Sequence, residues 1–224
     1  METANAAFDL LCDLQSALNA ALIFLEGKER KGIMDGFLVF SSAHINRAAA
    51  GYIFLRRVPL LEASKLLVRP CIETMFRIHA VRSKPDLLYR IAYGEHRKDL
   101  NLVRPAATKT GEWAKYEAED EKVWKDFQQA YAVQFPGHSM EDKKLKAEEA
   151  ARAGGIEGYY DCAYRLYCQF THGALRAATK SLRTDHLDDR TMAACVFCGL
   201  DTVAENGGSA PDLATLQSRL FTLP

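Results

Sequence analysis

A chain of 224 residues with 48% apolar and 26% charged side chains can bury a sizeable core without disulfides or metals, which excludes a disordered protein. Its 29 basic and 29 acidic residues cancel, so the molecule as a whole is not a polycation. There is no basic n-region with an apolar h-region and cleavage site, and no run is judged to approach the roughly 20 apolar residues of a membrane span. The expectation is therefore a cytoplasmic protein without a membrane partner, forming a single domain over residues 1–224.

Apolar positions recur at helical spacing throughout, and period-2 alternation is absent, so the fold is expected to be all-α, a single bundle of about seven to nine helices. The first helix is predicted from about Thr3 to Glu26, with Phe8, Leu11, Leu14, Leu18, Leu22 and Leu25 on one face. A charged turn, Gly27 to Gly32, leads to a second helix over about Ile33 to Arg57, whose Ala43, Ala48, Ala49, Ala50 and Gly51 suit close helix approach. Pro59 suits the first turn of a third helix that runs to about Arg82. A fourth is expected to stop near Val103, ahead of Arg104-Pro105. Residues 106–155 are expected to form a charged helical arm or lid: a helix from Trp113 to about Phe135, a break at Pro136-Gly137, and a short helix from the Ser139 cap to about Ala153. After Gly154-Gly155 a helix is predicted from near Ile156 to as far as Lys180. Asp188 is read as the cap of the next, Arg190 to Glu205, and Pro211 starts a terminal helix to about Leu220.

Six cysteines in a long chain without a secretion signal read as buried thiols. Cys195-Val-Phe-Cys198 has ligand spacing but no second pair to complete four ligands, so neither a metal nor a cofactor is expected. Between Lys28 and Arg104 fifteen basic residues stand against seven acids, which makes an anionic partner possible for this half.

Two helices carry narrow polar stripes. On the third, Glu62, Lys65, Arg69, Glu73 and Arg77 fall within about 120° of the helical wheel, and apolar residues fill most of the rest. Arg69 can pair with Glu73, and Glu73 with Arg77. Pro70 removes a backbone hydrogen bond beside Arg69. On the helix from Ile156, residues Asp161, Arg165, Cys168, Gln169, His172 and Arg176 share a face, flanked by Tyr160, Tyr164 and Tyr167. Facing each other, the stripes would form a polar cleft with Arg69, Glu73, Arg77, Tyr164 and Gln169 as ligand-binding candidates and Arg165 and His172 as a candidate catalytic pair.

The third helix, through Arg57, Glu62-Ala63, Leu67, Arg69 and Glu73, resembles the Arg-x-x-x-Glu segment of a bacterial helical family of unknown function. That family also carries a tyrosine, a small residue four positions on, and a His-Gly ending; here these are Tyr164, Cys168 and Thr171-His172-Gly173. The likeness spans roughly Leu38 to Glu95 and Gly158 to Arg176 and implies a helical fold. A more remote likeness, Arg165 followed six intervening residues later by His172, is to HEPN ribonucleases, although Leu166 replaces the polar residue usual after the arginine. That likeness implies metal-independent RNA cleavage and a role in toxin–antitoxin systems or phage defence.

Three functions are therefore open: an enzyme acting on RNA or nucleotides, a binding protein for an anionic small molecule or an acidic partner segment, and a structural helical scaffold. A homodimer is plausible through the Ala-rich second helix or the nearly all-apolar stretch Met192 to Leu200.

Overall fold

The computed structural model describes residues 2–29, 32–58, 60–171 and 185–223. Among them the chain is helical without strands, and it forms an all-α bundle. We number nine helices: α1 Glu2–Leu25, α2 Ile33–Arg57, α3 Leu61–Ser83, α4 Leu87–Thr110, α5 Trp113–Gln134, α6 Ala147–Ala153, α7, α8 Asp185–Glu205 and α9 Leu213–Thr222. Helix α7 is one rod in three parts, an opening turn Glu157–Tyr159, a π-helical stretch Tyr160–Tyr164 and an α-helical run Arg165–Thr171.

The main core lies where α1, α2, α3 and α8 meet. Helix α1 presents Leu10, Leu11, Leu14, Leu18, Ala21 and Leu25, each at most 1% exposed, chiefly to α8. Burying one leucine is worth about 1.5–3 kcal/mol, so this seam alone is a large share of the driving force. The 20 residues Ala6–Leu25 are in fact long and apolar enough to cross a membrane, which corrects the expectation that no stretch approaches that length. In this fold one side of that helix is core. Over residues 192–200 helix α8 is apolar almost all round, and such a stretch is expected to be central. Met192, Ala193, Cys195, Val196, Leu200 and Val203 are all fully buried against α1, α2 and α3, so this one of the two surfaces expected for a dimer is core within the chain.

Helix α3 is the hub, packed on α2, α6, α7 and α8. Pro70 lies inside it at an exposed position, and Leu66, whose carbonyl the proline cannot serve as donor, is exposed as well. Gly154, just past α6, sits so close to α3 that a β-carbon there would lie 2.6 Å from His79 Cβ and 3.0 Å from the His79 carbonyl carbon. Only glycine lets α6 end directly over α3.

Helices α4 and α5 pair with each other and carry a second, aromatic cluster of Tyr89, Tyr93, Tyr131 and Met140, with Trp124, Phe127 and Phe135 against it. Helix α4 does not stop at Arg104 but continues through Pro105 to Gly111, whose left-handed backbone (φ 76°) caps it. The hydrogen bond lost to proline falls on Asn101, which is exposed, so water replaces it. The helix predicted from Ser139 begins only at Ala147. The preceding irregular segment is tethered at both ends, with Met140 in the aromatic cluster and Leu145 in the main core. Helix α6 itself buries Ala150 and Ala151 in the main core.

Arg90 ties the α4–α5 pair to this segment and to α6. It is 8% exposed and donates to the Lys143 carbonyl (3.1 Å) and to both carboxylate oxygens of Glu149 (2.6 and 3.2 Å). The Arg90 hydrogen bonds hold the Glu149 pKa below its ordinary value. A depressed folded-state pKa stabilises above the unfolded value and loses that contribution as pH falls through the folded one. Glu149 is itself 44% exposed, so the pair is screened. We expect Glu149→Gln to cost about 0.5–1 kcal/mol at pH 7 and nothing once the pH is well below the carboxylate range, as read from urea midpoints at the two pH values.

Candidate functional site

The polar stripe of α3 separates into three destinations. Arg69 and Glu73, one turn apart on a half-buried face, pair at 3.0 Å through Arg69 Nε and Glu73 Oε1. Tyr164, arriving from the π-helical stretch of α7, donates its hydroxyl to the same Oε1 at 2.7 Å and lies under the Arg69 guanidinium, 5.5 Å from ring centre. Burial first, and the Glu73 carboxylate second, push the Tyr164 phenol well above its ordinary pKa, so it remains a proton donor. Phe76 backs the Tyr164 ring at 5.8 Å.

Arg77 does not share Glu73. It turns to Glu95 of α4 at 3.0 Å, and Lys98 reaches the same carboxylate at 3.1 Å. Burial disfavours the Glu95 charge, but Arg77, Lys98 and Lys144 outweigh it and hold its pKa down.

Lys65 leaves the stripe altogether. It is 2% exposed and lies 3.8 Å from Asp188, which also accepts the Tyr167 hydroxyl. The neighbouring Asp189, fully buried, accepts from Tyr52 at 2.7 Å and from both Nε and Nη2 of Arg56 at 3.0 and 2.8 Å. These two aspartates join α2, α3, α7 and α8 in one buried polar network. A pattern of charge alone did not reveal it, because Asp188 read as a helix cap; the structure starts α8 at Asp185 and places Asp188 and Asp189 inside the helix.

One cleft of about 380 Å³ opens beside the first group. Its described lining brings together Arg69, Glu73, Arg77 and Tyr164, four of the expected binding residues, with Lys98, Lys144 and Lys146. The two last lysines flank buried Leu145 in the extended approach to α6, where residues two apart share a face. Leu145 anchors inward, and Lys144 and Lys146 are presented together. Gly94 of α4 lies against this segment, where a β-carbon would make ordinary contact with Lys144 Cγ at 3.4 Å. Sequence reasoning missed these lysines because they looked like part of a generally charged arm. The Lys-Leu-Lys alternation was the available signal.

Arg165 is not part of the cleft. It is 63% exposed, pairs with Asp161 at 3.4 Å and lies over Tyr160. The reason is the π-helical stretch, which closes with Arg165 N–H donating to the Tyr160 carbonyl five residues back. A helical wheel drawn at 100° per residue loses its phase there. Tyr164 and Tyr167 turn inward and Asp161 and Arg165 outward. His172 lies outside the described residues, as does the side chain of Gln169. Cys195 and Cys198 sit in the main core, where burial pushes the Cys198 thiol up to about 12.

The cleft's chemistry is that of capture. Its one lining carboxylate, Glu73, is already held by Arg69 and Tyr164, and its cations come from three separate segments. An all-helical protein with a cationic cleft between α3, α4 and the approach to α6 is thus defined. Residues 38–190 match the model of DUF5677, a family of unknown function, and the chain belongs to that family. No curated protein and no solved structure matches it. The matched region contains the whole cleft lining and all six residues of the buried network.

Proposed function

We propose that the protein binds a small polyanion, such as a phosphorylated metabolite or nucleotide, in the cleft between α3, α4 and residues 144–150. One observation carries this reading. Five cations, Arg69, Arg77, Lys98, Lys144 and Lys146, face one cavity whose neighbouring carboxylates, Glu73 and Glu95, are shared among them. Neither Lys144 nor Lys146 forms an ion pair among the described residues, so a ligand's charge would complete them. Guanidinium and ammonium groups together suit a phosphoryl group, the first by directional donors and the second as point charges. The volume of about 380 Å³ falls within the usual range for small-molecule sites. No free base or nucleophile–base pair stands among the described lining residues, which favours binding over turnover. The ribonuclease alternative requires Arg165 and His172 in one site, and no observation favours it.

The test is thermal unfolding in the presence of pyrophosphate. At a hundred times Kd a ligand specific to the native state adds about 2.7 kcal/mol, which for a chain of this size raises Tm by about 5–11 °C. No rise, or the same rise with sodium chloride at equal ionic strength, would overturn the proposal.

A further inference from the structure

A second concavity, unconnected with the polyanion cleft, lies where the start of α7 meets α8 and α9. It consists of two adjoining hollows. One, about 640 Å³, is lined among the described residues by Ile156, Tyr159, Ala163, Leu187 and Arg190. The other, about 280 Å³, continues past Phe197 and Leu220. Ile156, Tyr159 and Arg190 line both and so mark the waist.

The walls are mainly apolar, and Leu187 and Tyr159 stay 42% and 40% exposed, which leaves apolar surface wet. Arg190 is different from the other cations on this side. Arg82, at the far end of the smaller hollow, is engaged by Asp201 at 2.9 Å and by Glu205. Arg190 is half-buried and forms no ion pair among the described residues. A long apolar groove with a cation at its waist that no described residue pairs is complementary to a molecule with one negative charge and an apolar chain. Among the described residues a polyanion would find one such partner here, and a neutral chain would half-desolvate Arg190 without bringing it a counter-charge.

We propose that this groove binds a single-chain amphiphile with one anionic head, a medium-chain carboxylate, with the head on Arg190 and the Tyr159 hydroxyl and the chain along Ile156, Ala163 and Leu187. Binding needs no covalent step and is independent of the polyanion cleft.

Titration calorimetry of the full chain with octanoate, decanoate, decanol and decyltrimethylammonium, each below its micelle concentration, tests this. Each buried methylene should strengthen binding about fourfold, so decanoate should bind roughly 15-fold more tightly than octanoate. Decanoate should outbind decanol, and the ammonium amphiphile should bind weakest. Arg190→Gln should lose about tenfold or more for decanoate while its decanol affinity stays as in the wild type, and Arg190→Lys should retain the preference for carboxylate. Lys144→Glu/Lys146→Glu should leave decanoate binding unchanged. Absence of saturable binding, equal affinity for decanoate and decanol, or no chain-length dependence would overturn the proposal; these readouts use the wild type and do not depend on any variant folding. Self-association lost in Leu187→Asp, without decanoate binding, would assign the groove to a second copy and overturn it as well.

Discussion

Asp189→Ala is expected to destabilise the protein by about 3–5 kcal/mol, because it breaks a buried ion pair with Arg56 and removes the acceptor that Arg56 shares with Tyr52. Asp189 is fully buried and binds three donor atoms from α2, namely Tyr52 Oη and Arg56 Nε and Nη2. The Arg56 side chain is only 16% exposed, so water replaces little of what is lost. Since single domains are stable by only about 5–15 kcal/mol, the variant should lose a substantial share of its folding free energy. Urea unfolding would show a lower midpoint at unchanged slope. Tyr52→Phe should cost only about 1–2 kcal/mol, as one neutral donor is lost and the ion pair stays. A loss below about 1 kcal/mol for Asp189→Ala would mean that Arg56 swings to solvent, and that the network does not hold α2 to α8.

The second large effect is on binding. Lys144→Glu/Lys146→Glu should weaken pyrophosphate binding by about 2–4 kcal/mol, roughly 30- to 1000-fold. Each reversal turns an attraction of about 1 kcal/mol at contact distance in water into a similar repulsion, reduced by salt. Both side chains are exposed, and Leu145 between them keeps its place in the core, so the urea midpoint without ligand should hardly move. Calorimetric titration at low and at physiological salt would read both the loss and its screening. Wild-type affinity in the double variant would place the anion elsewhere.

The helical architecture was legible from periodicity, since nearly every helix has an apolar stripe and a polar or glycine stop. Where the expectations failed, a local rule met a tertiary contact. Pro105 did not end α4 because its lost hydrogen bond falls on the solvent side. Ser139 did not open a helix because Met140 and Leu145 are drawn into different cores. The α3 stripe was correct as a set of residues on one face, and Arg69, Glu73 and Arg77 do line one cleft. Lys65, four positions before Arg69 on that stripe, is nonetheless buried against Asp188. The wheel fixes an azimuth, but which neighbour covers a given turn depends on where other helices cross.

Composition and the 3.6-residue period thus determined that the chain is all-α, that α3 is apolar over most of its circumference, and that arginine and glutamate are grouped on α3. These are properties of single segments and need no partner. Only the tertiary structure brought Tyr164 under Arg69, added Lys98, Lys144 and Lys146 to the same cavity, sent Arg165 to the surface and buried Asp188 and Asp189 among α2, α3 and α7. Each of those depends on a relation between segments distant in sequence, or on the π-helical change of phase in α7, and helical spacing in one segment carries no information about either.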